Sequence, residues 1–140
     1  MKAYVALPVI VQAELCTLGQ YNDLRGWTMP EGEDRTAEGY MVVDASQPSN
    51  TDLHVGHVTW VPADKFEASN LILDAPSGLP PHLLRVVGEA AILELNRDKL
   101  HNFLSDETKF KLVPEPQITL MRQQSHLQYR LLDVLKERLK

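Results

Sequence analysis

Two long segments in the second half of the chain carry apolar residues at alternating spacings of three and four, which constrains the fold more than any other feature. In the first segment, from Pro81 to Leu104, only Arg97 interrupts this spacing. Side chains spaced in this way lie along one side of an α-helix, so the segment is predicted to be helical. The main row contains Leu83, Val86, Ala90, Leu93, Leu100 and Leu104, and a flanking row contains Leu84, Val87, Ala91 and Leu95.

The second segment, from Gln117 to Leu139, has the same character and is also predicted to be a helix. The loop between the segments ends at Pro114 and Pro116, and each helix would be about 35 Å long. Equal lengths and a modest loop predict an antiparallel helical hairpin. One apolar row of this helix contains Leu120, Leu127, Leu131 and Val134, and the adjacent row contains Ile118, Met121, Leu132, Leu135 and Leu139.

The apolar stripes on these two helices are wider than a single partner helix can cover. The excess apolar surface must therefore pack on the first half of the chain or on a second copy of the protein. We expect the protein to self-associate through the hairpin and to form a homodimer.

A cluster of proline and glycine residues between Asn70 and Pro81 separates the hairpin from the first half of the chain. Regular structure ends where these residues are so dense. The predicted fold class is α+β, with a small antiparallel sheet and short helices followed by a long antiparallel helical hairpin. The predicted parts are an acidic α+β module at 1–70, a Pro/Gly-rich linker at 71–81 and the helical hairpin at 82–140.

Short helices and strands are predicted to make up the first half. Thr17 can cap a helix that Gly26 ends, and Pro62 suits the first turn of another helix, whose Phe66 should fold back onto the sheet. The polar loop SQPSNTD predicts that the last two strands form a hairpin. The predicted strands run from Lys2 to Gln12, from Gly39 to Ala45 and from His54 to Val61.

Acidic residues are concentrated in the first half, which has four Lys and Arg against ten Asp and Glu, whereas the second half has ten against nine. The first half therefore lacks the basic patch that nucleic-acid binding requires, and direct DNA binding is not expected. Attraction to a basic protein surface is physically easier. The candidate partner-binding residues lie in the loop GWTMPEGEDRTAEGY and are Glu31, Glu33, Asp34 and Glu38.

Neither a catalytic pattern nor a metal-binding pattern is visible in the sequence. His54 and His57 lie three apart on a predicted strand and point to opposite faces, and the loop acids lack the spacing of a calcium loop. Their polar setting argues against a catalytic pair. Cys16 has no neighbouring base and is predicted to be a structural thiol. We therefore predict a protein that is not an enzyme, needs no metal or other cofactor and does not enter a membrane.

Aromatic and arginine side chains leave two interpretations open. Trp27, Tyr40, Trp60 and Phe66 could stack on a nucleobase, but a small module needs large side chains in its core, which favours the core. Arginines on the helices could bind phosphate, although exposed or intrahelically paired arginines are more usual. The arginines concerned are Arg25, Arg85, Arg97, Arg122 and Arg130.

The first half resembles a module found in small accessory proteins of tailed bacteriophages. The resemblance lies in YNDLRGW, in EGYMV and in GHVTWVPADKFEAS, where the usual pattern is YN-x-x-RGW, EGYLV and G-Y-x-SW-x-P-x-x-x-FE. His57 and Thr59 replace the usual Tyr and Ser. In phage genomes this module is often joined to other small domains, including one related to an anti-Thoeris protein that captures a nucleotide signal, a domain not visible in this chain.

The second half is similar to a helical family of phage proteins without an assigned role. The resemblance lies in LPPHLLRVVGEAAILELNRDKLHNFL and QYRLLDVLKERL, whereas the family typically begins LPPHQQRV. Leu83 and Leu84 replace polar glutamines, and Gly88 and Ala90 replace an acid and a Lys. These substitutions make the first helix more apolar.

Together the two resemblances imply a phage accessory protein in the cytoplasm of an infected bacterium. The first hypothesis is an antagonist of host defence, like an anti-CRISPR, whose acidic loop binds a basic surface of a host defence complex and blocks nucleic-acid or nuclease engagement. An alternative is an oligomeric sponge that sequesters a nucleotide immune signal. A third hypothesis is a structural or assembly accessory protein of the phage.

Overall fold

The computed structural model describes residues 1–140 and divides into two compact units, residues 1–70 and residues 71–140. The first unit holds a three-stranded antiparallel sheet with two short helices, and the second is helical. The α+β fold class predicted from the sequence is confirmed. The elements are β1 (Gln12–Thr17), α1 (Leu18–Arg25), β2 (Glu38–Asp44), β3 (His57–Pro62), α2 (Ala63–Ser69), α3 (Pro81–Leu104), α4 (Glu107–Phe110) and α5 (Glu115–Arg138).

The sheet has the strand order β1-β2-β3, and helices cover parts of both its faces. On one face, Tyr21 of α1 packs with Met41 and Val58 in the core of the unit. Successive side chains of a strand alternate between faces, and accordingly Tyr40 lies on the opposite face, where its ring stacks on Phe66 of α2 at 4.4 Å. The prediction that Phe66 folds back onto the sheet is confirmed.

The first helix begins directly where β1 ends, without an intervening loop. The Thr17 hydroxyl accepts a hydrogen bond from the Gln20 amide at 3.2 Å, and the Gln20 side chain accepts one from the Thr17 amide at 2.9 Å. This reciprocal pair is a capping box, which satisfies amides that a helix start leaves free. Gly26 ends the helix in the left-handed conformation, with φ of 69°. Both predicted helix ends are confirmed.

The predicted first strand, from Lys2 to Gln12, is wrong. Strand β1 starts only at Gln12, which pairs with Val43, and residues 1–11 have no regular secondary structure. Because β2 ends at Asp44, no strand of this chain lies beside residues 1–11. The β-branched composition is typical of a strand, but a strand also requires a partner for its backbone hydrogen bonds.

The hairpin of β2 and β3 is confirmed, although β3 begins at His57 and not at His54. Strand β3 starts there because His57 pairs with Asp44, the last residue of β2. The Asn50 side chain binds the backbone of Val58, accepting from its amide at 2.7 Å and donating to its carbonyl at 2.8 Å. The Asn50 amide group therefore takes the position that a neighbouring strand would take. His54 lies in the preceding loop.

Helices α3 and α5 form the predicted antiparallel hairpin. Val86 and Ala90, near the start of α3, pack with Leu132 and Leu135, near the end of α5. Such a cluster requires that the two helices run in opposite directions. The short helix α4, which the sequence did not predict, lies in the connection, where the Asp106 side chain accepts from the Thr108 amide at 3.0 Å.

Arg97 occupies the one polar position in the main row of α3, and the structure explains how it is accommodated. Its guanidinium donates to Asp98 at 2.9 Å and to Glu94 at 3.3 Å. It also lies over the ring of Tyr129 on α5, 4.7 Å from the centroid. The hydrogen bond that Arg97 donates to Asp98 is the main reason that the pKa of Arg97 is raised, so the residue stays charged while it bridges the helices.

We expect Leu132→Ala to destabilise the hairpin by about 2–5 kcal/mol, because removing a buried leucine side chain leaves a cavity. Leu132 is 2% exposed. Urea unfolding followed by circular dichroism at the helical band measures the change. Leu112→Ala is the matched control, since Leu112 is 88% exposed. Equal effects of the two substitutions would contradict the assignment of Leu132 to the core.

Candidate binding surfaces

The acidic loop between α1 and β2 presents its carboxylates to solvent. Glu31, Glu33, Asp34 and Glu38 are all exposed, and none of them forms a salt bridge. The loop's one basic residue, Arg35, is turned away from them, since it binds Asp23 at 2.6 Å. None of the four acids is therefore paired with a cation of the loop.

The four candidate acids differ in their local roles. Asp34 accepts hydrogen bonds from the amide of Thr36 at 2.8 Å and from its hydroxyl at 2.6 Å, and these bonds lower the pKa of Asp34. Asp34 thus shapes the turn that leads into β2. Glu38 is the first residue of β2, opposite Thr17 in the strand register. Glu31 and Glu33 neither shape the turn nor belong to a strand.

The aromatic residues do not form a single pocket. Trp60 packs against the core of the first unit, and its indole donates to the Cys16 carbonyl at 2.9 Å. Trp27 is 51% exposed, which differs from the expectation that it fills the core. Its backbone follows the helix end at Gly26, so the ring lies against the rim of α1. The buried aromatic of this unit is Tyr21, which meets Trp27 edge to face at 5.9 Å.

Arg25 lies against the ring of Trp27. Its guanidinium lies over the ring of Trp27, 4.4 Å from the centroid, and one of its nitrogens donates to the Asn50 carbonyl at 3.4 Å. A cation over an aromatic face is attracted by the ring's negative π-surface. Arg25 therefore contributes to packing in the first unit and is not presented to a ligand.

Cys16 has the environment of an unreactive thiol. The side chain is half-buried, and its Sγ donates to the Thr17 carbonyl at 3.4 Å. Burial, helped by the charge of Glu14, raises the pKa of Cys16. A raised pKa reduces the fraction of nucleophilic thiolate at neutral pH.

Metal-ligating side chains are not clustered in the structure. No group of three or more His, Cys, Asp or Glu side chains is placed to hold a metal ion. His57 lies opposite Asp44 in the register of β2 and β3, and its charge contributes to lowering the pKa of Asp44 after the hydrogen bonds from Ser46.

Helix α5 carries two rows of side chains at alternating spacings of three and four, displaced by one residue. The inner row packs toward α3, and its members are buried or half-buried. The outer row is exposed along its whole length, and its residue Leu127 is 61% exposed. The inner row is Ile118, Met121, Ser125, Gln128, Leu132, Leu135 and Leu139, and the outer row is Gln117, Leu120, Gln124, Leu127, Leu131, Val134 and Arg138.

Two shallow depressions lie along the outer side of α5. The first, of ≈ 390 Å³, lies directly on the outer row. Four of its residues are spaced like the hole that receives one side chain of a facing helix in a coiled coil. Its lining residues are Leu120, Gln123, Gln124, Leu127, Gln128 and Leu131.

The second depression, of ≈ 520 Å³, lies beside the outer row and has a different chemistry. It combines the cationic side chain of Arg122 with the imidazole of His126 and the polar groups of Thr119 and Gln123, next to the apolar side chain of Leu127. Arg122 forms no salt bridge within the chain. A free cation beside polar and apolar groups suits a ligand that has both an anionic and an aromatic part.

Sequence reasoning identified Arg122 among several arginines but missed Thr119, Gln123 and His126. The usable signal was their position on the helical face immediately beside the leucine row. That signal is weak, because every exposed helix has polar residues beside its apolar row.

None of the helices is both long enough and apolar enough to span a lipid bilayer.

In a comparison with protein-family models, the second unit matches one family. Residues 80–140 match the family model described as Sequestin. The match covers α3, α4 and α5 and therefore the whole outer side of α5. Comparisons with curated proteins and with solved structures found no match. The helical hairpin is thus the part of the chain that is similar to a known family.

Proposed function

We propose that this chain is a non-enzymatic phage accessory protein that sequesters a nucleotide-type immune signal in the cytoplasm of an infected bacterium. The observation that carries the proposal is the match of residues 80–140 to Sequestin, whose name points to sequestration. The same residues carry the depression that contains Arg122 and His126. The resemblance of both halves to phage accessory proteins supports the setting.

The second depression supplies the groups that a nucleotide requires. Arg122 can bind phosphate oxygens through charge-assisted hydrogen bonds, and His126 adds a second donor beside it. Thr119 and Gln123 offer hydrogen-bonding groups for a ribose or a base edge, and Leu127 offers an apolar contact for the base. In a sequestering role, the ligand would be released chemically unchanged.

A second copy of the chain completes the site by pairing along the outer row of α5. Seven positions at alternating spacings of three and four are the pattern of a coiled-coil seam. Gln124 is a polar residue at one of these positions, and such residues fix the register of paired helices. Paired helices would cover the first depression, whereas the second lies at the edge of the seam and gains a wall from the partner.

Self-association is tested by sedimentation at tens of micromolar. We expect a mass above the 15.8 kDa of one chain, and we expect Leu131→Lys/Val134→Lys to lower the mass, because two charges would be buried in the seam. Asp133→Lys is the control, since Asp133 is exposed and lies outside both rows. A monomer of the unaltered protein would contradict pairing along this row.

Ligand binding is tested by thermal shift with cyclic dinucleotides and ADP-ribose derivatives, followed by titration calorimetry of any compound that stabilises the protein. We expect Arg122→Gln to weaken binding by about 10- to 100-fold, since a hydrogen bond to a charged group contributes about 1.5–3 kcal/mol. Arg85→Gln, on the exposed side of α3, should leave affinity unchanged. A flat response across the panel would count against sequestration of a nucleotide.

The acidic loop supports a second candidate function, the binding of a basic surface on a host defence complex. The specific observation is that Glu31, Glu33, Asp34 and Glu38 are exposed without a cation of their own. Attraction between such a loop and a basic protein would be strong at low salt and screened at high salt.

This candidate is tested by affinity capture from a bacterial lysate at low and at raised salt. We expect Glu31→Lys/Glu33→Lys/Glu38→Lys to lose the captured complex, because the loop would repel a basic surface. Asp34 is left in place because it holds the turn through Thr36. Asp52→Lys, an exposed acid outside the loop, is the control. Retention of the complex by the triple variant would rule out this surface.

A further inference from the structure

The first eleven residues form an apolar arm that makes little contact with the rest of its own unit. Tyr4 is 89% exposed and Leu7 is 83% exposed, and only Ile10 and Val11 are half-buried. No charged residue occurs between Ala3 and Val11. An exposed apolar segment of this length marks an interaction surface.

The arm could extend β1 toward the N-terminus, and one face of the extended strand would then be apolar throughout. If β1 were extended toward the N-terminus, every odd-numbered residue would fall on the face that carries Leu15, because strand side chains alternate. Leu15 is itself 69% exposed and lies opposite Tyr40 in the register. The residues on this extended face are all apolar and are Val5, Leu7, Val9, Val11, Ala13 and Leu15.

The backbone of the arm has no strand partner within its own sheet. Strand β1 is an edge strand with an open outer side, but the arm runs straight into β1 and has no turn in which to fold back on it. The outer edge of β3 would require a reversal of the chain. Residues 1–11 contain no Gly, Asn, Asp or Ser to form one, and Pro8 is the only turn-favouring residue among them.

We propose that the arm forms a strand by pairing antiparallel with the arm and outer edge of β1 in a second copy of this chain. Two copies related by a twofold axis present identical surfaces to each other, so each arm is donor and acceptor at once. Strand addition to an open sheet edge satisfies backbone groups while side chains set the register.

The side-chain pattern restricts the register of this pairing. Residues directly opposite each other in an antiparallel pair lie on the same face of the sheet. The two apolar faces coincide when odd-numbered residues face odd-numbered residues, and one such register places Val5 and Leu7 opposite the partner's Leu15 and the partner's Ala13. A shift by one residue would place the apolar side chains opposite Gln12 and Glu14 of the other face.

Pro8 is compatible with this arrangement, although it cannot donate a backbone hydrogen bond. Proline lacks an amide hydrogen, so it is tolerated where the amide of that residue would point away from the partner strand. Pro8 therefore removes at most one donor from each strand of the pair and does not prevent the pairing.

Hydrogen exchange of the full chain, measured by mass spectrometry at several protein concentrations, tests the proposal. We expect the amides of the arm to be protected at high concentration and to lose protection on dilution. Protection that does not depend on concentration would show that the arm packs on its own chain and would overturn the proposal. Exchange at the rate of an unstructured peptide at all concentrations would overturn it as well.

A matched pair of variants tests which face of the arm takes part in the pairing. Leu7→Lys places a charge on the apolar face, and we expect arm protection to disappear and the mass by light scattering to fall. Ala6→Lys adds the same charge on the face that carries Glu14, and we expect protection to remain. Loss of protection in both variants, or in neither, would contradict face-specific pairing.

The arm contact is separate from the seam on α5. In Leu131→Lys/Val134→Lys, which breaks the seam, the arm amides should stay protected in a concentration-dependent manner. Protection lost in that variant would show that the arm is covered only as a consequence of pairing along α5, and would overturn pairing through β1. A failure of nucleotide binding would leave the arm result unchanged.

Discussion

The helical hairpin depends on the packing of one row of α5 against α3. Leu132 and Leu135 fill this contact from α5, and Val86 and Ala90 fill it from α3. Because the apolar positions of α5 form two rows displaced by one residue, turning one row inward leaves the other facing outward. The exposure of the outer row is thus set by the core, since any rotation of α5 that hid the outer row would expose Leu132 to water.

In the first unit, a sheet of only three strands has to be stabilised. Tyr21 closes one face over Met41 and Val58, and Phe66 closes part of the other over Tyr40. Helices on both faces leave the loops and strand edges exposed. The acidic loop and the apolar arm differ in kind, since one could offer charge to a basic partner and the other could offer backbone and apolar groups to a strand.

The sequence was sufficient for elements whose signals are local. The spacing in α3 and α5, the cap at Thr17 and the helix stop at Gly26 all depend on residues within one or two helical turns. The sequence failed where the outcome depends on a distant partner. Residues 1–11 have the composition of a strand without a strand beside them, and β3 starts only at His57, where pairing with Asp44 of β2 begins.

The candidate site was harder to predict than the fold, for the same reason. The row of Leu120, Leu127 and Val134 was visible from its spacing, but nothing in the sequence distinguished Arg122 from other exposed arginines. Arg97 illustrates the difficulty. It is equally cationic, yet the structure occupies it with Asp98 and Tyr129.

Thr17 serves both as the last residue of β1 and as the cap of α1. A strand can slip along its neighbour by two residues and keep its faces, but Tyr21 holds α1 on the sheet, so a slip of β1 would pull the hydroxyl of Thr17 away from the amide of Gln20. The cap therefore fixes the register of β1 against β2. A force applied to the N-terminal arm would be resisted at this junction, where drawing out the strand also means unwinding the first turn of the helix.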